Sequence, residues 1–291
     1  MEELALILFS ICLQAAIGLM IFATLAKYLY KDASYKVAVV SAAALAVIGL
    51  LASFLHLGQP FRAVNSLAHF ATSWLSREIW LTSIFTGLTV VTALLLLFKP
   101  ASQGLVRTFM ALAAVFGLLD VYAMASVYTS TSVSAWNYSA VTVEFYAAAI
   151  SMGALLFLTL SGSEGSKVRR PAVIITGIAV ALQVAAMVGY YIQLGASSSS
   201  AAQQSLALLS GMSGAMAVKW LFILLGTGLL LFPIQKQQLS VNSSGQAAAE
   251  VAAAGLSGTT IYIAAALLVI GQIVGRYLFY AMMIASRVGL S

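Results

Sequence analysis

The chain has 291 residues, 62% of them hydrophobic and 8% charged, with a mean hydropathy of +1.02. Soluble domains are about 45–50% apolar and about 25% charged, so a water-soluble globule is excluded. A disordered chain is excluded too, because it needs few apolar residues and dense charge. The formal net charge of +6 suggests nucleic acid only in a soluble protein; in a membrane protein, basic residues report orientation, and no nucleic-acid role is read from them.

A bilayer core about 30 Å thick takes about 20 apolar residues to cross as a helix, since every backbone amide must be bonded internally there. Eight runs qualify: Leu4 to Leu25, Val37 to Leu55, Ile79 to Phe98, Thr108 to Val127, Ala140 to Leu160, Pro171 to Leu194, Gly214 to Phe232 and Ile261 to Ile284. They predict an all-α integral membrane protein, a bundle of eight transmembrane helices forming one domain over residues 1–291. The first run follows Glu2 and Glu3 with neither a basic stretch nor a small-residue cleavage site, so it is expected to stay in the mature protein. It holds the only cysteine, Cys12, which permits no internal disulfide and no iron–sulfur cluster held on thiolates of this protein. Pro60, Pro100, Pro171 and Pro233 fall at or just beyond the ends of runs, where a missing amide proton is tolerated. Gln235 to Gly258 is rich in Gln, Ser, Ala and Gly and reads as a flexible linker. No internal repeat relates the first four runs to the last four, which speaks against inverted-repeat transporter folds.

The connections after the first, third, fifth and seventh runs carry Lys27, Lys31, Lys36, Lys99, Arg107, Lys167, Arg169, Arg170 and Lys236, whereas the other side has Arg62, Arg77 and Arg287. Basic loops stay in the cytoplasm, so both termini are predicted to face outward, to the periplasm in a Gram-negative cell.

Ionisable groups inside a bilayer are costly and therefore functional candidates. Asp120 in the fourth run, Glu144 in the fifth, Lys219 in the seventh and Arg276 in the eighth all fall in the outer half, and His56 and Glu78 flank the outer connection between the second and third. The inner half reads as electrically empty. That asymmetry argues against an ion path through the whole membrane and for a polar site opening outward; the competing reading makes Asp120, Glu144, Lys219 and Arg276 two interhelical ion pairs. On the eighth helix Gln272, Arg276 and Tyr280 share one stripe, and Gly271 and Gly275 form a small packing face.

The stretch from His56 through Gly58, Pro60, Arg62, Asn65, Ser66, His69 and Trp74 to Arg77 and Glu78 gathers histidine, arginines and a carboxylate at one outer interface. A two-electron, two-proton carrier needs such surroundings: a quinol hydroxyl must meet an acceptor such as neutral histidine, and a carboxylate can pass the proton on. Both arginines also suit lipid phosphate or a partner's carboxylates, the favoured reading for Arg77. His56 and His69 lie in one connection, not at matched depths on two helices, so bis-histidine haem is not expected, and no metal site is predicted in this protein.

These residues carry a resemblance. His56-Leu57-Gly58, Pro60, Arg62-Ala63, Asn65-Ser66-Leu67, Leu75-Ser76 and Glu78-Ile79, with Gly271 to Arg276 and Phe279-Tyr280, resemble the membrane anchor subunit of the dimethyl sulfoxide reductase family of molybdenum enzymes, and the resemblance spans the whole sequence. It implies eight helices with both termini outside, a place in the bacterial inner membrane, and oxidation of menaquinol near the outer face in anaerobic respiration. Electrons would pass to an iron–sulfur subunit and on to a molybdopterin catalytic subunit. By the same resemblance His56 is the quinol-site histidine, Glu78 the important carboxylate at the start of the third helix and Arg62 the motif's arginine, while Gln272 stands where the family carries Glu. The expectation is that His56 accepts a hydroxyl proton, Glu78 relays it and Arg62 orients the headgroup, with Asp120, Glu144 and Arg276 as secondary candidates for the cofactor-binding wall. The alternatives are a secondary transporter and a structural anchor without a quinol site.

Overall fold

The structure is a computed structural model that describes residues 2–55, 67–244 and 257–284, with side chains placed over 4–54, 68–232 and 257–284. Its helices are α1 (Glu2–Leu29), α2 (Lys36–Leu55), α3 (Trp74–Phe98), α4 (Gln103–Thr129), α5 (Ser139–Leu160), α6 (Arg169–Ala196), α7 (Ser200–Gly211), α8 (Ser213–Ser244) and α9 (Gly258–Ala281). All but α7 contain a stretch long and apolar enough to cross a membrane, which makes the eight predicted spans. Their outward faces carry large apolar side chains such as Leu51, Leu97, Ile178, Leu182 and Ile192, as a surface covered by lipid tails requires.

The spans alternate in direction, so the chain's start, the end of α9 and the connections after α2, α4 and α6 share one end of the bundle, here the terminal end. α1 and α5 are the most enclosed helices. α1 packs on α2, α4, α5 and α9, and α5 on α1, α4, α6 and α9. Glycine permits the central crossing: a Cβ on Gly18 would run into the Ala149 carbonyl, and one on Gly153 into the Gly18 backbone. Lipid tails are as apolar as leucine, so such close backbone contact is what holds membrane helices together. The small face of α9 serves similarly, since a Cβ on Gly271 would lie 3.0 Å from the Lys219 carbonyl oxygen and one on Gly275 2.9 Å from Lys219 Cε.

Several boundaries differ from the sequence reading. α3 starts at Trp74, five residues early, because the Ser73 hydroxyl caps it by accepting from the Ser76 amide. Glu78 is thereby on the helix rather than in the connection. α8 runs through Pro233 to Ser244 and takes in part of the stretch read as a linker. A proline forfeits one amide bond, and the Gln, Lys and Leu around it are good helix formers. α7, in the connection before α8, has no counterpart among the predicted runs.

The inner half is also not electrically empty. Lys27, 1% exposed, donates from Nζ to the carbonyls of Lys31 (2.8 Å) and Ala33 (2.7 Å) at the opposite end. The Glu164 carboxylate accepts from the amides of Ser34 and Tyr35. A lysine can be buried there because a tight turn aims carbonyls at it, which residue spacing does not announce.

Two outcomes follow. In a Cys12→Ser background, a cysteine at the exposed Ser198 is expected to react with a membrane-impermeant maleimide in intact cells, and one at the exposed Ser163 only after permeabilisation; the reverse pattern would invert the topology. Gly153→Val should lower stability by about 1–3 kcal/mol through overpacking, read as earlier unfolding in detergent.

Candidate functional site

Near the terminal end, the ends of α1 to α4 and α9 enclose an apolar recess of about 340 Å³, within the range of about 300–1,000 Å³ typical of small-molecule sites. Leu6, Phe9, Leu50, Phe54, Leu75 and Ile79 supply apolar wall, and Ser53, Glu78, Thr82, Ser83, Tyr128, Trp136 and Tyr280 are its polar-tipped lining. Few polar groups in apolar surroundings orient a hydrophobic ligand without holding water.

Glu78 is the chemical focus. It is 5% exposed, and its Oε1 has no hydrogen-bond partner among the described residues. A buried polar atom left unbonded costs about 1–3 kcal/mol, more when charged, so an acceptor with nothing donating to it is a site for a ligand donor or water. One turn on, Thr82 donates to Asp120, which is fully buried behind the wall on α4, with its hydroxyl 3.0 Å from each carboxylate oxygen.

The aromatic wall is held rigidly. Tyr128 and Tyr280 share a hydrogen bond of 2.8 Å between hydroxyls. Trp136 stacks on Phe279, with ring centroids 5.0 Å apart, and donates from Nε1 to the Phe279 carbonyl at 2.9 Å. Tyr128 meets both rings edge-on. Such contacts fix the rotamers of the rings facing the recess.

Arg276, one turn before Tyr280, donates to Gln14 Oε1 on α1 at 2.8 Å and lies 3.8 Å from the Phe145 ring centroid. It joins three helices behind the recess. Glu144 does not line it: the carboxylate takes a 2.6 Å ion pair from Lys219, with side chains 11% and 3% exposed. Of the two ion pairs considered for the four intramembrane charges, this is the one formed among the described residues; Asp120 and Arg276 have neutral partners instead. Gln272 exchanges hydrogen bonds with Gln183 and donates to Ser151, an amide knot joining α9, α6 and α5. Arg77 donates to the carbonyls of Phe70 and Ala71 and lies over Trp74, so its guanidinium ties down its own connection.

His56 and Arg62 lie outside the described residues. The sequence reading missed Thr82, Tyr128 and Trp136, although Thr82 is four residues after Glu78 and Tyr128 eight after Asp120, spacings that share a helix face. The described residues contain no cluster of three or more metal-ligating side chains.

The fold and recess define a multi-pass membrane protein with an apolar site at one end of its bundle. The protein belongs to the DMSO reductase anchor subunit (DmsC) family, whose sequence model matches residues 1–282. It is 33% identical over 190 residues to an anaerobic dimethyl sulfoxide reductase subunit of Escherichia coli K12, covering 64% of each protein. It is 34% identical over 164 residues to the subunit of the same name from Haemophilus influenzae, covering 55% of this protein and 57% of that one. The match thus spans under two thirds of the length of these two relatives. A further E. coli relative, the anaerobic dimethyl sulfoxide reductase subunit YnfH, is 26% identical over 286 residues, 97% of this protein and 95% of the relative. No solved structure matches significantly.

The ion pair makes a further expectation. Lys219→Met alone strands Glu144 and should destabilise by about 3–5 kcal/mol, whereas Lys219→Met with Glu144→Leu should recover most of that loss. Thermal unfolding of the single and double variants in detergent measures the difference.

Proposed function

We propose that the recess is a quinol site. In this reading the protein oxidises menaquinol near the periplasmic face of the inner membrane and delivers the electrons to an iron–sulfur subunit, which feeds a molybdopterin catalytic subunit. Membership of an anchor-subunit family supports the assembly, and the relatives from E. coli and H. influenzae are named as parts of an anaerobic dimethyl sulfoxide reductase. One observation carries the site: Glu78 brings to an apolar recess a carboxylate oxygen with no partner among the described residues.

A naphthoquinol is a flat apolar ring with a hydroxyl at either side and an isoprenoid tail. The apolar wall and stacked aromatics of the recess suit the ring, and Glu78 Oε1 is placed to accept from a hydroxyl. His56 stands two residues beyond the recess-lining Phe54 in the sequence; it takes the hydroxyl proton, Glu78 relays it and Arg62 orients the headgroup. Asp120 stands behind the wall and Arg276 braces Tyr280, while Glu144 holds the bundle together. Protons leave on the periplasmic side, where reduction of the terminal acceptor consumes protons, so turnover moves little net charge across the membrane.

Glu78→Gln in the assembled complex should cut quinol-dependent reductase turnover by about 100-fold or more, the usual worth of a positioned proton acceptor. Co-purification of the soluble subunits should be unchanged. His56→Ala should behave alike and weaken binding of a naphthoquinone analogue. Unchanged turnover in a fully assembled complex would falsify the role of either residue; loss of assembly with Glu78→Gln would make that carboxylate structural.

A further inference from the structure

Thr82 sits one turn beyond Glu78 on α3 and lines the recess beside it. Its hydroxyl differs from those of four other threonines inside the bundle. Thr24, Thr92, Thr176 and Thr227 each donate to the carbonyl four residues back, at 2.7–2.9 Å, the habit of threonine in a membrane helix. Thr82 instead reaches across to α4 and donates to Asp120. Its single proton is thereby committed to the carboxylate, and its oxygen keeps acceptor capacity.

Asp120 is fully buried, does not itself line the recess, and forms no ion pair with any described residue. A carboxylate sealed into a membrane bundle without a cation is costly and seldom kept for packing alone. Here the residue that donates to it also lines the recess.

We propose that Asp120 takes the second quinol proton, and that Thr82 is the relay through which it is reached; this rests on the quinol reading above. Oxidation of a quinol releases two electrons and two protons. The electrons leave singly to the one-electron iron–sulfur acceptors of the partner subunit. One hydroxyl gives its proton to the His56 and Glu78 branch. The other breaks its O–H bond as a new one forms to Thr82 Oγ, while the original Thr82 proton passes to Asp120. Thr82 ends unchanged, Asp120 ends neutral, and the ring ends as the quinone. Once the quinone has left, the Asp120 proton returns through the same hydroxyl into the recess and out at the terminal end. Glu78 and Thr82, with Cβ atoms about 5–6 Å apart as residues one helical turn apart are, thus serve the two hydroxyls separately.

The experiment uses the whole reductase complex in membranes, with a soluble naphthoquinol as donor and a naphthoquinone analogue for binding. Thr82→Val keeps the side-chain shape and removes the hydroxyl; it should slow turnover by about tenfold to 100-fold with analogue affinity unchanged, and Thr82→Ser should restore most of the rate. In redox-difference infrared spectra, quinol oxidation should raise a protonated-carboxyl band that is lost in Asp120→Asn. That second readout holds even if Thr82→Val assembles poorly. Turnover insensitive to the Thr82 hydroxyl, or a carboxyl band unaffected by Asp120→Asn, overturns the relay while leaving the quinol site standing. Failure of the unmodified complex to bind the analogue overturns both.

Discussion

Inside a bilayer a polar atom has no water to turn to, and this requirement organises the whole bundle. Lys27 is met by two turn carbonyls, Lys219 by Glu144, Gln272 by Gln183 and Ser151, and one Arg276 nitrogen by Gln14, while Arg276 Nε and Gln14 Nε2 have no partner among the described residues. Each of these bonds links two segments that lie apart in the sequence or closes a turn, so meeting the requirement also fixes how the helices sit. Glu78 meets it differently. Among the residues lining the recess it has the buried oxygen without a partner among the described residues, where a ligand's donor can complete the bonding.

The polar groups are graded along the bundle axis. Glu78, Asp120, Glu144, Lys219 and Arg276 all lie within about three turns of the terminal end of their helices, whereas the midsection is held by small residues, with Gly18 against Gly153 at the crossing of α1 and α5. Tight backbone contact there leaves no space between α1 and α5. Polar groups concentrated near one surface fit the quinol site proposed there, which a carrier would enter sideways from lipid.

The rigidity of the recess comes from aromatic packing more than from hydrogen bonds. Trp136 belongs to a short connection, and its stack on Phe279 and bond to the Phe279 carbonyl clamp that connection onto α9. Tyr128 joins the cluster from α4 through Tyr280. Separate parts of the sequence thus meet around one cavity with a wall of interlocked rings.

Much of this was legible in the order of residues. Eight apolar runs determined eight spans, because the thickness of the bilayer leaves the backbone one way across, and the basic residues of the connections marked one end as different from the other. The histidine, arginine and carboxylate near the second connection, and the charges expected in the outer halves of the helices, pointed to the end of the bundle at which the recess lies. The folded bundle decided what each charge touches. Glu144 found Lys219 on a distant helix, Asp120 found the hydroxyl of Thr82 instead of a cation, and Tyr128 and Trp136 became walls of a cavity. The physical reason is one of range: crossing a membrane is a local property of some twenty successive residues, whereas a hydrogen bond between helices depends on rotation and depth, which only the packing of all the helices together fixes.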